Sequence, residues 1–425
     1  MKYDAIILGA GASGLFCAST ALLRGKKILL LDHAEKPGLK VAISGGGKCN
    51  YSNTNVSPAQ YHGQNPHFTI SALERLTCDE LTNRLTNAGI AVEEREHGQL
   101  FCRHSARDMV RFLIDGIGGP ESPVLVPSVK IVEVSKDEGG FSVTFEKAGR
   151  ENTVKTKNLV IATGNIACPQ AGATDFGLRL AKQFRHRLIQ TFPALVGLVM
   201  PASWPFADLS GIGIPANIRL LGQDGQALTP AENLPLLFTH KGISGPAALQ
   251  TSLYWEKGDA LSLDFLPGQS LTQLLNTSEN TKLLLKTLFK RLFADRLAMS
   301  LLAHAEQRLF LNKNTSQHPK NTPNKLPLPM PLAGIKVGGL SAATKELLAQ
   351  TVHAFTIRPE RTEGLKKAEV ARGGVDTRDV SSRTMESRLV PGLYFCGEVL
   401  DVTGRLGGFN LHWAFASGQA AGEAI

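Results

Sequence analysis

Residues 3–38 read YDAIILGAGASGLFCASTALLRGKKILLLDHAEKPG. We predict a buried strand over residues 4–8, a glycine turn, an apolar helix to about Arg24 and a second buried strand over residues 27–31. That second strand ends in Asp32, and the turn between the first strand and the helix carries G-x-G-x-x-G. A strand, a helix and a strand with this turn form the dinucleotide-binding βαβ unit, so the stretch predicts an α/β domain that binds a dinucleotide.

Each position of this turn needs glycine for a different physical reason. Gly9 permits the tight turn, Gly11 lets the backbone approach a pyrophosphate, and Gly14 lets the helix pack closely on the strand. The helix N-terminus favours the negative charge of the phosphates. Asp32 is placed to accept a hydrogen bond from a ribose 2′-hydroxyl.

The bulk composition is that of an ordinary globular protein. The chain has 425 residues, of which 43% are hydrophobic and 20% charged. Its six cysteines form no C-x-x-C pair and its histidines no H-E-x-x-H, so we predict neither a disulfide framework nor a metal, and a reducing cytoplasm. The uncharged run 5–23 holds glycines at the dinucleotide spacing, which argues against a membrane segment.

The hydrophobic pattern and the composition change twice along the chain, and the last part again has the pattern of an α/β domain. Short alternating stretches, clearest in FSVTFE (141–146), precede a buried strand in NLVIATGN (158–165). Residues 193–270 are typical of β structure, 281–311 of a helix, and 312–331 of a polar, proline-rich connector. We therefore predict a discontinuous nucleotide domain over 1–192 and 332–425, interrupted by an insert over 193–331 with a basic helical part at about 271–311.

Basic residues concentrate in this insert. Between positions 282 and 325 there are nine Lys or Arg against two acids, in a chain whose net charge is +9. Two interpretations stay open: a solvated basic face, or a surface that binds a polyanion such as RNA.

The βαβ turn alone leaves NAD(P) and FAD both open. The C-terminal segment favours FAD, because a flavin ring needs a second docking point at a strand end and a helix N-terminus. Gly397-Glu398 and the turn 407–410 supply such a point. The glycines of SGGGKCN (44–50) resemble a P-loop, but Ala42 and Cys49 stand at two of its required positions, so we assign this loop to the flavin instead.

Five segments together resemble a known family. They are GAGASGLFCA (9–18), KPGLKVAISGGGKCNYSN (36–53), VIATGN (160–165), FTHKGISGPAALQ (238–250) and the block from 373 to 422. They are similar to bacterial NAD(P)/FAD-dependent oxidoreductases of the aminoacetone oxidase-like type, which are themselves similar to glutathione-reductase-type flavoproteins. The resemblance implies FAD, a Rossmann-like domain, and an insert made of a β-barrel and a small helical part. Some members are described as reductases of conjugated steroids.

The resemblance also implies which residues contact FAD. Those expected at the pyrophosphate, ribose and adenine are Gly9, Gly11, Ser13, Gly14, Asp32, Val129, Ala162, Thr163 and Gly164. Those expected along the central and flavin portions are Lys40, Ser44, Gly45, Gly46, Asn50, Gly397, Glu398, Gly408, Phe409, Asn410 and Leu411. Asp32, Asn165, Lys48 and His412 depart from the family, which often has Glu, Gly, Arg and Gln there.

The reacting groups are less clear than the cofactor. Candidate acids or anchors near the ring are Arg405, His412 and Cys49, although each has an ordinary structural interpretation as an ion-pairing, helix-packing or buried apolar side chain. No second dinucleotide turn follows a strand, so NAD(P)H is expected at most as a transient electron donor.

Three functions remain open. The first is reduction or oxidation of a small unsaturated or amine substrate, and the second is reduction of a nucleobase such as uracil in RNA held by the basic segment 282–325. The third, which no specific feature supports, is a flavin-binding protein without catalysis.

Overall fold

A computed structural model describes residues 3–315 and 331–425, except for the side chains of 312–315. Most of the predicted connector 312–331, with Lys320 and Lys325, lies outside this part, and so does the side chain of Lys313. The chain divides into two compact units. Unit 1 comprises residues 1–195 and 364–425, and unit 2 comprises residues 196–363.

The α-helices of the described residues are α1 (Ala12–Leu23), α2 (Leu39–Ile43), α3 (Ile70–Arg75), α4 (Cys78–Asn87), α5 (Ala106–Asp115), α6 (Phe176–Gln183), α7 (Gly245–Ser252), α8 (Leu271–Asn276), α9 (Ser278–Thr281), α10 (Leu285–Leu292), α11 (Asp295–Thr315), α12 (Ala342–His353) and α13 (Phe409–Ala424).

The strands of the same residues are β1 (Tyr3–Leu8), β2 (Ile28–Leu31), β3 (Asn50–Asn53), β4 (Tyr61–His62), β5 (Val92–Glu94), β6 (Gln99–Cys102), β7 (Leu125–Val126), β8 (Lys130–Asp137), β9 (Gly140–Lys147), β10 (Arg150–Ile161), β11 (Leu188–Ala194), β12 (Leu198–Val199), β13 (Gly213–Leu221), β14 (Glu232–Thr239), β15 (Gly242–Ser244), β16 (Ala260–Asp264), β17 (Phe355–Ile357), β18 (Arg361–Thr362), β19 (Val370–Val375), β20 (Leu393–Phe395) and β21 (Thr403–Gly404).

The main sheet of unit 1 is built on the predicted βαβ stretch. Its order is β7-β2-β1-β10-β9-β8, and β20 pairs with the end of β10. Strands β2, β1, β10 and β20 run parallel, with Ala5 opposite Ile28 on one side and Asn158 on the other. Their apolar runs are buried on both faces, which is the pattern of a parallel sheet covered by helices. Helix α1 packs against α13 on this sheet.

Unit 1 also contains three small antiparallel sheets. They are β3-β6-β5, β4-β21 and β11-β19. Two of them pair a strand from the first part of the chain with one from the last part, so unit 1 is completed only by residues after 364.

Unit 2 is organised around a second sheet. The β structure predicted for 193–270 is here a seven-stranded antiparallel sheet of order β17-β16-β13-β14-β15-β12-β18. Helices α7, α8, α10, α11 and α12 pack with it around a separate apolar core that includes Phe206, Phe238 and Phe289.

Two predictions about the insert differ from the structure. We expected the nucleotide domain to resume at residue 332, but residues 332–363 supply β17 and β18, the outer strands of the sheet in unit 2. We also expected one helical stretch over 281–311, but the extended backbone of Phe293 separates α10 from α11. The break lets Phe293 and Leu297 both enter the core.

Among the residues that the structure describes, no helix combines the length and the apolar composition that a membrane span requires.

Candidate functional site

The three glycines of the first turn occupy three different environments. Gly9 has a φ of +105°, and a Cβ there would lie 2.5 Å from the Ala162 carbonyl oxygen. A Cβ on Gly14 would overlap the Gly9 carbonyl, whereas one on Gly11 would meet nothing within 4 Å. Gly9 and Gly14 therefore permit the turn and its packing, and Gly11 leaves room above the turn, as a pyrophosphate would require.

The N-terminus of α1 lies beside the C-terminal elements. Gly11 caps α1 without any side-chain hydrogen bond, so its first N–H groups are available to an anion. The Ser13 hydroxyl donates to the Cys396 carbonyl at 3.5 Å. Gly397 has a φ of +78°, and a Cβ there would lie 2.5 Å from the Ser13 Oγ. The predicted residues Ser13 and Gly397 are thus neighbours.

Asp32 is held in place at the end of β2. Its carboxylate accepts the N–H groups of Ala10 and, at 2.6 Å, of Ala34. The Val129 N–H donates to the Asp32 carbonyl at 3.0 Å. Asp32 and Val129 therefore lie together, as the adenosine half of FAD needs, and each carboxylate oxygen keeps a further lone pair for a ribose hydroxyl.

The end of β10 carries a polar atom without a partner. The Ala162 N–H donates to the Leu8 carbonyl at 2.8 Å, which fixes this segment against β1. The next residue, Thr163, has a buried Oγ1 with no hydrogen-bond partner. Gly164 follows with a φ of +70° and open space where a Cβ would be. The Thr163 hydroxyl lies against α6, because a Cβ on Gly177 would overlap its Oγ1, whereas Gly164 leaves room beside the end of the strand.

An ion pair joins two predicted cofactor residues from distant parts of the chain. Lys40 Nζ lies 2.6 Å from Glu398 Oε2. The other Glu398 oxygen accepts the Ala371 N–H at 3.0 Å, and the Asn165 side chain donates to the Glu398 carbonyl at 3.2 Å. Asn165, which departs from the family glycine, thus has a structural function.

The loop Ser44–Gly47 uses its glycines in two ways. Gly45, Gly46 and Gly47 all have φ between +55° and +84°, which non-glycine residues adopt at a cost. A Cβ on Gly45 would lie 2.6 Å from the Asn50 backbone nitrogen, whereas Gly46 and Gly47 face open space. Gly45 is therefore needed for the fold, and Gly46 leaves the surface of the loop accessible to a ligand.

The predicted ring end of the site is a rigid turn before α13. Asn50, with its amide oriented to suit its neighbours, accepts the Gly408 N–H at 3.2 Å. The Asn410 amide accepts from the Gly404 N–H and donates to the Gly404 carbonyl, both at 2.8 Å. Phe409 is buried edge-on against Tyr61, and Leu411 is half-buried. Gly408 gives α13 no side-chain cap, so this helix also presents uncapped N–H groups.

Two of the three catalytic candidates lie in the protein core. His412 is fully buried, its Nε2 donates to the Leu76 carbonyl at 2.9 Å, and its Nδ1 accepts from the Ser52 hydroxyl at 2.8 Å. Burial lowers the pKa of His412 to about 4. Cys49 is equally buried, and hydrogen bonding to the Cys102 thiol together with burial raises the pKa of the Cys49 thiol. These positions favour the structural interpretation of both residues.

Arg405, in contrast, is half-buried beside a short polar ribbon. Strands β4 and β21 pair His62 with Thr403, and the Arg405 N–H donates to the Gln60 carbonyl at 3.0 Å. Arg405 Nη1 also lies 3.5 Å from Gln60 Oε1. Directly opposed residues of antiparallel strands share a face, so His62 and Thr403 project together, away from buried Tyr61. The Thr403 Oγ1 is buried without a partner. Neither His62 nor Thr403 was predicted from the sequence, since no local pattern marks a two-residue strand.

The residues of this site fit FAD. The open space at Gly11 and Gly164 and the two helix N-termini without side-chain caps are the features that a dinucleotide with a phosphate centre and a ring end would complete. Among the residues that the structure describes, no three His, Cys, Asp or Glu side chains gather as metal ligands would.

Comparison with known proteins gives a family and curated relatives. The family model described as "HI0933-like protein Rossmann domain" matches residues 3–424. The chain is 39% identical to a protein of Escherichia coli K12 named ribosomal RNA dihydrouridine synthase, over 99% of this chain and 98% of that one. A Haemophilus influenzae protein of the same name is 36% identical over 99% and 98%. A Clostridium scindens protein named 3-dehydro-bile acid delta(4,6)-reductase is 28% identical over 98% of both chains.

Proposed function

The chain belongs to the HI0933-like Rossmann family of FAD-dependent oxidoreductases, and we propose that it reduces a uridine of ribosomal RNA to dihydrouridine. The similarity to the two ribosomal RNA dihydrouridine synthases, which extends over nearly the whole of each chain, carries this proposal. Of the functions that the sequence left open, it favours the nucleobase. A ribosomal RNA substrate also fits the cytoplasmic location that the cysteine usage predicts.

The proposed reaction needs one hydride and one proton. The C5=C6 bond of uracil loses its π bond, one carbon takes the hydride and the other the proton, and a reductant of the NAD(P)H class is oxidised overall. When bound, FAD supplies hydride-transfer chemistry of this kind. The protein must orient the base, stabilise negative charge as it develops, and supply the proton.

The polar ribbon of β4 and β21 offers groups for the last two tasks. Arg405 is a permanent cation and donor, so it suits a uracil carbonyl as an anchor. His62 lies on the same ribbon and is a residue type that transfers protons near neutral pH. We therefore propose that Arg405 anchors the base and that His62 transfers the proton, whereas the buried positions of His412 and Cys49 favour a structural function for both.

The basic face of α10 supports an RNA substrate. This helix buries Leu285, Leu288 and Phe289 in the core of unit 2, and it exposes Lys286, Lys290 and Arg291. Lys290 pairs with Asp295 at 2.6 Å, so most of the positive charge on this face stays available. Phosphate binding by such a face adds affinity without reading the base sequence.

A direct test uses ribosomal RNA from a strain that lacks the protein. The purified holoenzyme with NADPH is expected to add two hydrogens to one uridine, measured by mass spectrometry of nuclease fragments. Charge reversal of three basic side chains on α10 should weaken RNA binding at low salt and flatten its salt dependence, while FAD stays bound. The changes are Lys286→Glu, Lys290→Glu and Arg291→Glu.

A matched control reverses three exposed cations on the β9-β10 region of unit 1, namely Lys147, Arg150 and Lys157. We expect a clearly smaller loss of RNA affinity for this control. RNA that gains no hydrogen under any donor would refute the proposed function.

A second candidate is reduction of a conjugated small molecule. The 28% identity to the bile acid reductase favours it, because that enzyme name also describes reduction of a conjugated bond. Turnover of a conjugated steroid with NADPH, without any change in ribosomal RNA, would select this function instead.

A further inference from the structure

Unit 2 contains a cavity that the proposed chemistry does not use. Its volume is about 610 Å³, which is within the range of sites for small ligands. The lining comes from three elements and a loop: α11, the end of α12, the outer strand β17 and residues 203–205. Because β17 is an edge strand, its outer backbone groups are not used by the sheet.

The lining combines one permanent cation with neutral hydrogen-bonding groups. Arg308 lies on α11, and Ser203, Gln350 and Thr356 contribute hydroxyl and amide groups; no carboxylate of the described residues lines the cavity directly. The Gln350 amide donates to the Glu346 carboxylate, and the Thr356 hydroxyl donates to the Ala354 carbonyl, both at 3.2 Å. A guanidinium presents its donors in a planar fork that matches phosphate oxygens. The composition therefore favours a ligand that carries a phosphate and further polar atoms.

His304 gives the same cavity a flat wall. Its ring lies one helical turn before Arg308 and packs against Phe355, with ring centroids 5.1 Å apart at 59°. The second neighbouring ring is Phe206, at 6.4 Å. Burial, with a smaller contribution from Arg308, lowers the pKa of His304, which keeps the imidazole neutral at neutral pH. A neutral ring that two tilted aromatic contacts hold in place is a suitable platform for a nucleobase.

The cavity continues a basic surface. Arg296, His304 and Arg308 follow one another along α11 over roughly 18 Å, and Arg296 is turned about 120° around the helix axis from Arg308. Arg296 is exposed, and the exposed cations Lys286 and Arg291 lie on the preceding helix α10. A strand of RNA that contacts both arginines of α11 would therefore cross this helix obliquely on its way to the cavity.

We propose that this cavity binds one nucleotide of single-stranded RNA, with the phosphate on Arg308 and the base against His304. The assignment rests on the proposed function, since it takes RNA as the substrate. Its consequence is a second point of attachment in unit 2, separate from the residues assigned to FAD and to the reacting base. Attachment at such a point fixes the position of the strand rather than the identity of the base.

The test measures RNA binding directly, without turnover. The holoenzyme is titrated into a fluorescein-labelled oligouridylate, and anisotropy gives the affinity at several salt concentrations. Arg308→Ala should weaken binding roughly tenfold and reduce the slope of log K against log salt by about 0.7, the value for one phosphate of a single strand. His304→Ala should weaken binding at least about fivefold, while His304→Phe keeps most of the affinity because it keeps the stacking face.

The matched control is Arg219→Ala, which removes an exposed arginine from β13, in unit 2 but outside the cavity lining. We expect this control to change the affinity less than about twofold. Far-ultraviolet circular dichroism and flavin absorbance establish that each variant is folded. If Arg308→Ala does not fold, Arg308→Lys replaces it, and the loss of the planar fork should still weaken binding.

Three results would overturn the assignment in distinguishable ways. If the wild-type protein reduces ribosomal RNA but Arg308→Ala, His304→Ala and Arg219→Ala all bind the oligouridylate equally, the cavity is not an RNA site and the proposed function stands. If Arg308→Ala loses affinity for NADPH and not for RNA, the cavity holds the electron donor. If the wild-type protein neither binds nor reduces RNA, the cavity assignment and the proposed function both fall.

Discussion

Acid should destabilise this protein through His412 more than through any exposed histidine. The residue is fully buried, and both ring nitrogens are hydrogen-bonded in the way that a neutral imidazole requires. Burial lowers its pKa from 6.5 to about 4. Because the pKa is lower in the folded state, a proton binds His412 more tightly in the unfolded state. The stability that the neutral imidazole allows is therefore fully present above pH 6.5 and is lost as the pH falls towards 4.

The size of the effect follows from these two pKa values. A difference of one between the folded and unfolded pKa corresponds to about 1.4 kcal/mol in the free energy of unfolding. For His412, the free energy of unfolding is therefore about 2 kcal/mol lower at pH 5 than at pH 8. His412→Gln removes the titrating group, and its amide has an acceptor for the Ser52 hydroxyl and a donor for the Leu76 carbonyl. We therefore expect the variant to lose about 2 kcal/mol less stability than the wild type between pH 8 and pH 5.

The assay is urea unfolding of both proteins at the two pH values, followed by circular dichroism. His67→Gln, at an exposed position, is the matched control, since other groups titrate over the same interval. If wild type and His412→Gln lose stability in parallel, the buried neutral imidazole is not the cause of the loss in acid. A change in the pH profile of turnover at unchanged stability would instead return His412 to the catalytic candidates.

Three further predictions concern the cofactor site and its supports. Gly14→Ala should lower the free energy of unfolding by about 3 kcal/mol or more, measured by thermal unfolding, because its Cβ overlaps the Gly9 carbonyl. Gly11→Ala should lower it by about 1 kcal/mol or less, yet weaken FAD binding at least tenfold in a fluorescence titration. Equal FAD affinities of Gly11→Ala and the wild type would contradict this. Arg378→Ala should lower the free energy of unfolding by about 2 kcal/mol at pH 7, because it leaves the buried Asp376 carboxylate without its 2.6 Å partner. The loss should become smaller below pH 4, since the hydrogen bond from Arg378 is the main cause of the lowered pKa of Asp376. A pH-independent loss in urea unfolding would count against the ion pair. Cys49→Ser should keep both FAD, measured by absorbance, and turnover, and a selective loss of turnover would give the thiol a chemical function.

The local part of the fold was predictable and the non-local part was not. The βαβ unit could be predicted because its strand runs, glycines and Asp32 all lie within about thirty residues and each has a direct steric or electrostatic reason. His412 and Cys49 looked like reacting groups because they stand next to glycine turns. The partner that makes His412 structural, Ser52, is 360 positions away in the chain.

Two features of the insert also could not be predicted from local sequence patterns. The period of the apolar residues runs through 281–311 without a sign of the extended Phe293, because a helix and a broken helix can bury the same side chains. The end of the insert was misplaced for a related reason. Strands of two and three residues, such as β18 and β17, carry too few positions for a period, and only their pairing assigns them to unit 2.

The packing of α1 against α13 has a consequence for biosynthesis. Helix α1 is apolar on nearly all sides, and α13 follows it by almost the whole length of the chain. At typical rates of translation, roughly 20–80 seconds pass between the two helices, during which unit 2 emerges and is free to fold first. The nascent protein therefore presents an uncovered apolar helix for most of its synthesis. Loss of α13 should send it to chaperones and proteases, even though every residue of the first glycine turn is already made.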